Sequence, residues 1–101
     1  MPYEMLVGLH VTNEKMYQDY REKMTPILID SGGGFGYDFR IAEVLESRTD
    51  NEINRVFTIY FPDKSAMQRF FSAETYRAIK AQFFESSVAS TIVIAEYTRE
   101  S

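Results

Sequence analysis

The feature that most constrains this chain is the order in which strand-like and helix-like segments follow one another. Short apolar or alternating segments at residues 3–11, 35–40, 55–61 and 91–97 favour β-strands. An amphipathic helix is predicted between the first two strands, and a pair of shorter helical segments between the last two. This β-α-β-β-α-β order predicts an α+β protein of ferredoxin-like, split βαβ topology, with two helices on one face of a four-stranded antiparallel sheet. We expect one domain over residues 1–101.

The first helix is predicted from apolar residues that recur every three or four positions. These are Met16, Tyr20, Met24 and Ile27. Thr12 or Asn13 should cap its start by accepting a hydrogen bond from a free N–H group, and Pro26 should kink or restart it. The helix should end near Asp30, with Gly32 or a neighbour in the left-handed conformation. Arg21 falls on the polar side of this pattern.

The second half of the chain is predicted in less detail. Residues 42–47 are expected to extend the second strand past a bulge near Ile41, and residues 48–54 to form a loop. Asp63 should cap a short helix that runs to Phe71, and a second helical segment should cover residues 73–84.

Residues 31–39, SGGGFGYDF, hold four of the five glycines and raise the question of a phosphate-binding loop. Phosphate loops run from strand to glycines to helix, so that the positive end of the helix dipole meets the anion. Here the order is helix, glycines, strand, and no Lys-Ser or Lys-Thr pair follows. The run is therefore interpreted as a helix C-cap and the entry to a strand.

Composition excludes several classes of function. Eleven basic and fifteen acidic residues give a net charge of −4, which disfavours nucleic-acid binding. One histidine, no cysteine and dispersed carboxylates predict no metal site, and we expect no cofactor. No apolar run approaches the ~20 residues of a membrane span, no signal peptide is recognised, and the absence of cysteine fits a cytoplasmic location.

The two faces of the predicted sheet differ from ordinary water-facing sheets. Apolar residues on one face can be covered by the two helices, with Phe35, Tyr37 and Phe39 placed there. The other face carries Leu6, Gly8, Val56 and Thr58, and is too apolar for water while no helix remains to cover it. A second copy of the chain is the economical cover, so a homodimer joined through this face is predicted.

Several short motifs resemble a known family. They are Tyr17 and Tyr20, GGGF at 32–35, EVLES at 43–47, FPDKSAM at 61–67, Phe70-Phe71 and TYRAIK at 75–80. Through them the chain is similar to domain-of-unknown-function family 1330 of the dimeric α/β-barrel superfamily, in which two such sheets close into one barrel. The resemblance implies this fold and dimerisation. The chain departs from the family pattern at residues 38–40, Phe70, Ser72 and Phe84, which implies a different pocket if those positions line one.

Candidate chemistry centres on the face opposite the helices. His10 is a candidate general base and Tyr60 a second catalytic candidate, although a strand-end histidine bonded to a neighbour is the favoured interpretation of His10. Asp38, Arg40 and Thr58 are candidate ligand-binding residues on the same face. An alternative is that these groups satisfy one another at a dimer seam.

Two hypotheses for function follow. The first is a homodimer that binds a small organic molecule in a cavity beside the sheet. The second is a cofactor-independent monooxygenase or isomerase acting on a small aromatic or polyketide-like substrate, as the resemblance to the barrel superfamily implies. The sequence does not decide whether the protein is an enzyme.

Overall fold

The computed structural model describes residues 1–100. The elements are β1 (Tyr3–Val11), α1 (Glu14–Asp30), β2 (Gly34–Arg40), β3 (Arg55–Phe61), α2 (Lys64–Ser72), α3 (Glu74–Ile79) and β4 (Val88–Thr98), and a π-helical turn at Lys80–Phe84 extends α3. The strands form one sheet in the order β2-β3-β1-β4, and every neighbouring pair is antiparallel. The predicted α+β, ferredoxin-like topology is confirmed.

The ends of the helices follow the predicted capping residues. Asn13 Oδ1 accepts from the Met16 N–H at 3.0 Å and begins α1. Asp63 Oδ1 accepts from the Ala66 N–H at 2.8 Å and begins α2. Helix α1 ends at Asp30, and Gly32 takes a positive φ of 87° just beyond it.

Helix α1 is not interrupted at Pro26, so the predicted restart there is wrong. Proline removes one backbone donor, but Met24 and Leu28 on either side of it are fully buried against the sheet. Packing of this apolar stripe therefore holds the helix together across the proline.

The core lies between the helices and one sheet face. Its strand residues come from β1, β3 and β4: Met5, Val7, Leu9, Val11, Phe57, Ile59, Phe61 and Val88. Its helix residues include Tyr17, Met24, Leu28 and Phe70. The opposite face of the sheet has no helix against it, and the molecule measures 32 × 32 × 17 Å, as expected of a slab two layers thick.

A β-bulge in β2 changes which side chains share a face. Phe35 pairs with Ile59, but Asp38 pairs with Phe57, and the register shifts between them. The Tyr37 N–H donates to Thr58 Oγ1 at 2.8 Å within this bulge. Phe35 and Asp38 therefore face the helices, while Phe39 pairs with Val56 on the opposite face.

The predicted faces of β2 are wrong for this reason. Strict alternation puts Phe35 with Tyr37 and Phe39, but the bulge separates Phe35 from the other two, whose rings stack with centres 5.9 Å apart. Alternation also puts Asp38 with His10, but Asp38 lies on the helix side of the sheet. The bulge lies at Gly36–Tyr37 and not near Ile41.

Residues 41–54 form a loop, so the prediction that residues 42–47 extend β2 is wrong. The Asn54 side chain holds the end of this loop to β1, because its amide both accepts from the Val11 N–H and donates to the Val11 carbonyl, each at 2.8 Å. Ile53 then lies against Gly8, whose missing side chain leaves room for it. The loop thus covers one end of the sheet face that carries no helix.

Candidate functional site

A cavity of about 280 Å³ lies between the helices and the sheet, and we call it the interlayer cavity. Its apolar wall comes from Met5, Val7, Leu9, Met24, Phe35, Phe57, Ile59, Phe71, Phe84 and Val93. Its polar side chains are Tyr17, Tyr20, Arg21, Tyr76, Lys80 and Thr91. An apolar cavity with a few converging polar groups is the usual form of a small-molecule site.

The π-helical turn after α3 shapes one wall of this cavity. In it the Glu85 N–H bonds to the Lys80 carbonyl, five residues back, at 3.1 Å. The turn carries Phe84 to within 5.0 Å of the Tyr20 ring and leaves Lys80 on the cavity wall. Such turns often occur at functional sites, and here the turn supplies two cavity residues.

Three tyrosines contribute to the lining of the cavity. The Tyr20 and Tyr76 hydroxyls are 2.8 Å apart and share one hydrogen bond. The Tyr17 hydroxyl accepts from Arg21 Nε at 2.7 Å, because tyrosine sits one helical turn before arginine on α1. In each arrangement one hydroxyl proton is left over to donate to a bound molecule.

These tyrosines are neutral donors near pH 7. Burial raises the pKa of Tyr17, and the nearby Arg21 charge offsets only part of that rise. Burial also raises the pKa of Tyr20, as does its neighbour Tyr76, and burial raises the pKa of Tyr76 itself. None of the three phenols therefore serves as a base at neutral pH.

Arg21 lies in an aromatic cage at the edge of the cavity. Its guanidinium carbon is 3.9 Å from the centre of the Phe35 ring, 4.8 Å from that of Phe57 and 5.2 Å from that of Tyr17. Its side chain is only 11% exposed. The prediction that Arg21 belongs to the solvent side of α1 is therefore wrong, because cation–π contacts and an ion pair compensate its burial.

Asp38 joins two arginines beside the cavity, and we call Asp38, Arg21, Arg55 and Glu14 the Asp38 cluster. Arg55 Nε and Nη2 donate to the two Asp38 oxygens at 2.7 and 2.8 Å. Arg21 Nη1 and Nη2 reach the same oxygens at 3.2 and 3.4 Å. Glu14 lies 3.8 Å from Arg55. Burial alone would raise the pKa of Asp38, but the two arginines outweigh it and lower that pKa.

Replacing Asp38 by asparagine should destabilise the protein by about 2 kcal/mol at pH 7, because two largely buried guanidinium groups lose their shared carboxylate. The folded-state pKa of Asp38 is below the ordinary aspartate value of 3.8, so this stabilisation is complete above about pH 5 and is lost as the pH falls through the folded value. Urea unfolding of both proteins at pH 7 and pH 3 measures this difference.

Asp50→Asn is the matched control for that experiment, since Asp50 is an exposed loop residue and the change removes the same charge. It should leave stability within about 0.5 kcal/mol of the unaltered protein. The difference in free energy of unfolding between Asp38→Asn and Asp50→Asn should shrink from pH 7 to pH 3. A difference that stays constant would contradict the role given to the Asp38 carboxylate.

The predicted site residues are not brought together. His10, Thr58 and Tyr60 share the face without helices, whereas Asp38 lies on the helix side and belongs to the Asp38 cluster. Arg40 is exposed at the end of β2, opposite Arg55 in the register. None of these five residues lines the interlayer cavity.

His10 has a partner in the loop after β2. Its Nε2 lies 3.0 Å from a Glu52 carboxylate oxygen, and the glutamate is 79% exposed. This is the arrangement of a strand-end histidine bonded to a neighbour. Within residues 1–100 no three His, Cys, Asp or Glu side chains group together as metal ligands.

A polar group also lies on the sheet face without helices. Glu4 is buried there, accepts from the Tyr97 hydroxyl, and pairs with Arg99 Nη1 at 2.8 Å. The Arg99 guanidinium lies 5.1 Å from the centre of the Tyr60 ring. The hydrogen bond to Glu4 raises the pKa of Tyr97. This part of the face is therefore held by a charge pair and a hydrogen bond, while Leu6, Val56 and Phe39 give the face its apolar area.

The sequence points to Tyr17, Tyr20 and Phe84 only as family positions, and it assigns neither Arg21 nor Lys80 to a site. Tyr17 and Arg21 are four residues apart on α1, and that spacing could have indicated a tyrosine–arginine pair. Tyr76, Lys80 and Phe84 share one helical stripe, but they are indistinguishable from ordinary core and surface residues until the second helical segment is placed over α1.

A family model describing a domain of unknown function, DUF1330, matches residues 5–97 of the chain. The chain belongs to the DUF1330 family. No functionally curated protein matches this DUF1330 protein in sequence. None of the helices within residues 1–100 is long and apolar enough to cross a membrane.

Solved structures of the same fold share little sequence with this DUF1330 protein. A protein of unknown function from Rhodopseudomonas palustris superposes with a TM-score of 0.82 at 16% identity, covering 99% of this chain and 83% of that one. A dimeric ferredoxin-like protein of unknown function from Jannaschia sp. CCS1 superposes with a TM-score of 0.55 at 15% identity, covering 98% of this chain and 100% of that one. A cofactor-independent oxygenase from Streptomyces nogalater superposes with a TM-score of 0.56 at 11% identity, covering 99% of this chain and 92% of that one. These likenesses establish the ferredoxin-like fold.

Proposed function

We propose that this DUF1330 protein binds a small organic molecule in the interlayer cavity and acts as a homodimer. The observation that carries the proposal is the cavity itself, which is walled by aromatic and aliphatic side chains and receives hydroxyl groups from two helices. Its 280 Å³ is close to the lower end of the range for ligand pockets, about 300–1,000 Å³. The expected ligand is therefore small, of the size of one substituted aromatic ring.

The uncovered sheet face supports the dimer, and we call it the open face. It carries Leu6, Val56, Phe39, Ile92 and Ala95 as well as the Glu4–Arg99 pair. Phe39 is 52% and Tyr37 is 66% exposed, and a soluble monomer rarely leaves so large an apolar area in water. A second copy is the proposed occupant, since the Jannaschia protein of this fold is dimeric.

Blocking the cavity from its accessible side tests ligand binding. Thr91 is exposed on β4 and lines the cavity, so Thr91→Phe should place a ring in it without disturbing the buried core. With a mixture of small aromatic compounds as the probe, ligand-observed NMR should detect binding to the unaltered protein and at least a tenfold loss in the variant, about 1.4 kcal/mol.

Thr98→Phe is the matched control, because it makes the same change on the same strand at a position that does not line the cavity. It should bind the compounds as the unaltered protein does. Equal binding by Thr91→Phe and Thr98→Phe would place the ligand elsewhere and refute the proposal.

The alternative function is a cofactor-independent oxygenase or isomerase. The free hydroxyl protons of the tyrosines favour it, because they could stabilise negative charge that develops on a substrate oxygen. Against it, the described lining of the cavity includes no carboxylate or imidazole that could act as a general base. Turnover that Tyr17→Phe abolishes without weakening substrate binding would support the enzyme; binding without turnover supports the first function.

A further inference from the structure

The polar groups that line the interlayer cavity are hydroxyls and cations. Three tyrosines and Thr91 contribute hydroxyls, and Arg21 and Lys80 contribute positive charges. Among residues 1–100, no carboxylate, carboxamide or imidazole group lines this cavity. The lining therefore carries a formal charge of +2 in a protein whose net charge is −4. Such an arrangement concentrates positive potential in a low-dielectric cleft.

Arg21 retains donors for a ligand after its protein contacts are made. Of its five N–H groups, one donates to the Tyr17 hydroxyl and two to the Asp38 oxygens, which leaves two. Its side chain is held by the Phe35, Phe57 and Tyr17 rings, so little conformational entropy remains to be lost on binding. The Tyr17 hydroxyl proton is a further donor beside it.

The acidic members of the Asp38 cluster do not cancel this preference. Asp38 and Glu14 lie outside the cavity wall, and Arg55 shares the Asp38 carboxylate. The cavity-lining Arg21 and Lys80 together with the three other members of the Asp38 cluster carry three positive and two negative charges, a balance of +1 for these five residues. Asp38 is thus a positioning residue that fixes the Arg21 guanidinium.

We propose that the ligand is a small aromatic carboxylate, with Arg21 and Lys80 as the residues that determine specificity for its charge. This inference rests on the proposed function of the cavity. A carboxylate can accept from one of the remaining Arg21 N–H groups and from the Tyr17 hydroxyl, both hydrogen bonds are stronger with a charged acceptor, and the aromatic wall accommodates the ring. Lys80, 5.9 Å above the Phe84 ring at the exposed end of the cavity, adds a second positive charge.

The test compares benzoate with benzamide, which has nearly the same shape but no charge. Isothermal titration calorimetry on the unaltered protein should give benzoate at least about tenfold tighter binding than benzamide. Lys80→Met should weaken benzoate binding about threefold to tenfold and leave benzamide unchanged, and rising salt concentration should reduce the benzoate preference. Arg21→Met should abolish the preference.

Lys23→Met is the charge-matched control, because Lys23 is exposed on α1 and does not line the cavity. Benzoate binding equal in Lys80→Met and Lys23→Met, or benzamide binding as tightly as benzoate, would overturn the carboxylate inference and leave cavity binding intact. A panel of larger aromatic acids and their amides should be titrated as well. If neither benzoate, benzamide nor any member of the panel binds at millimolar concentration, both the carboxylate inference and the proposed function are overturned.

Discussion

Leu6→Lys should convert the proposed homodimer into monomers of 11.8 kDa. Leu6 lies on β1 at the centre of the open face, opposite Thr58 on one side and Ala95 on the other. A lysine there would bring an unpaired charge into the interface, at a cost of at least about 3 kcal/mol. The dimer dissociation constant should rise more than a hundredfold, which sedimentation equilibrium at micromolar concentration can measure.

Ile29→Lys is the control for this prediction, since Ile29 is an exposed apolar residue on α1, away from the sheet. It adds the same charge and should remain dimeric. Gly8 and Thr58 are less suitable positions, because both are already buried within the protomer. Ile53 covers Gly8, and the β2 bulge covers Thr58. An unaltered protein that stays folded as a monomer on dilution would contradict the dimer.

Gly33→Ala should lower the free energy of unfolding by about 3 kcal/mol. A β-carbon at Gly33 would lie 2.4 Å from the Tyr60 carbonyl oxygen and 2.9 Å from Leu28 Cδ1. The carbonyl is backbone of a central strand and cannot move aside, so the α1–β2 connection must shift as a whole. Thermal unfolding should show a Tm more than about 10 °C lower than that of the unaltered protein.

Gly34→Ala provides the comparison for this prediction. Its β-carbon would lie 2.6 Å from the Tyr60 hydroxyl, which is the far end of a side chain that can rotate away. The expected loss is therefore less than about 1 kcal/mol. An equal decrease in the free energy of unfolding for Gly33→Ala and Gly34→Ala would contradict the claim that Gly33 is required for the close approach of two backbone segments.

The topology was predictable because periodicity alone marks most of the elements. Strand β1 has the predicted bounds, the caps at Asn13 and Asp63 were foreseen, and the glycine run follows a helix as its order indicated. These features depend on local hydrogen bonding and on alternation of apolar residues. Both can be identified in one sequence without knowledge of the contacts between elements.

The candidate site was not predictable in the same way. The bulge at Gly36–Tyr37 moves Asp38 to the opposite sheet face, and nothing in the local sequence specifies a bulge that depends on Thr58 from another strand. Arg21 looked solvent-exposed because burial of an arginine requires aromatic rings and a carboxylate from β2 and β3. Such residues are identified by tertiary contacts and not by spacing.

The most direct test of the central claim is a crystal structure of the protein soaked with small aromatic acids. We expect an aromatic molecule between α1, α3 and the sheet, with an oxygen atom within hydrogen-bonding distance of Arg21 or the Tyr17 hydroxyl. Soaked molecules found on the outer surface while the interlayer cavity remains closed by its own side chains would contradict the claim that this cavity is the binding site.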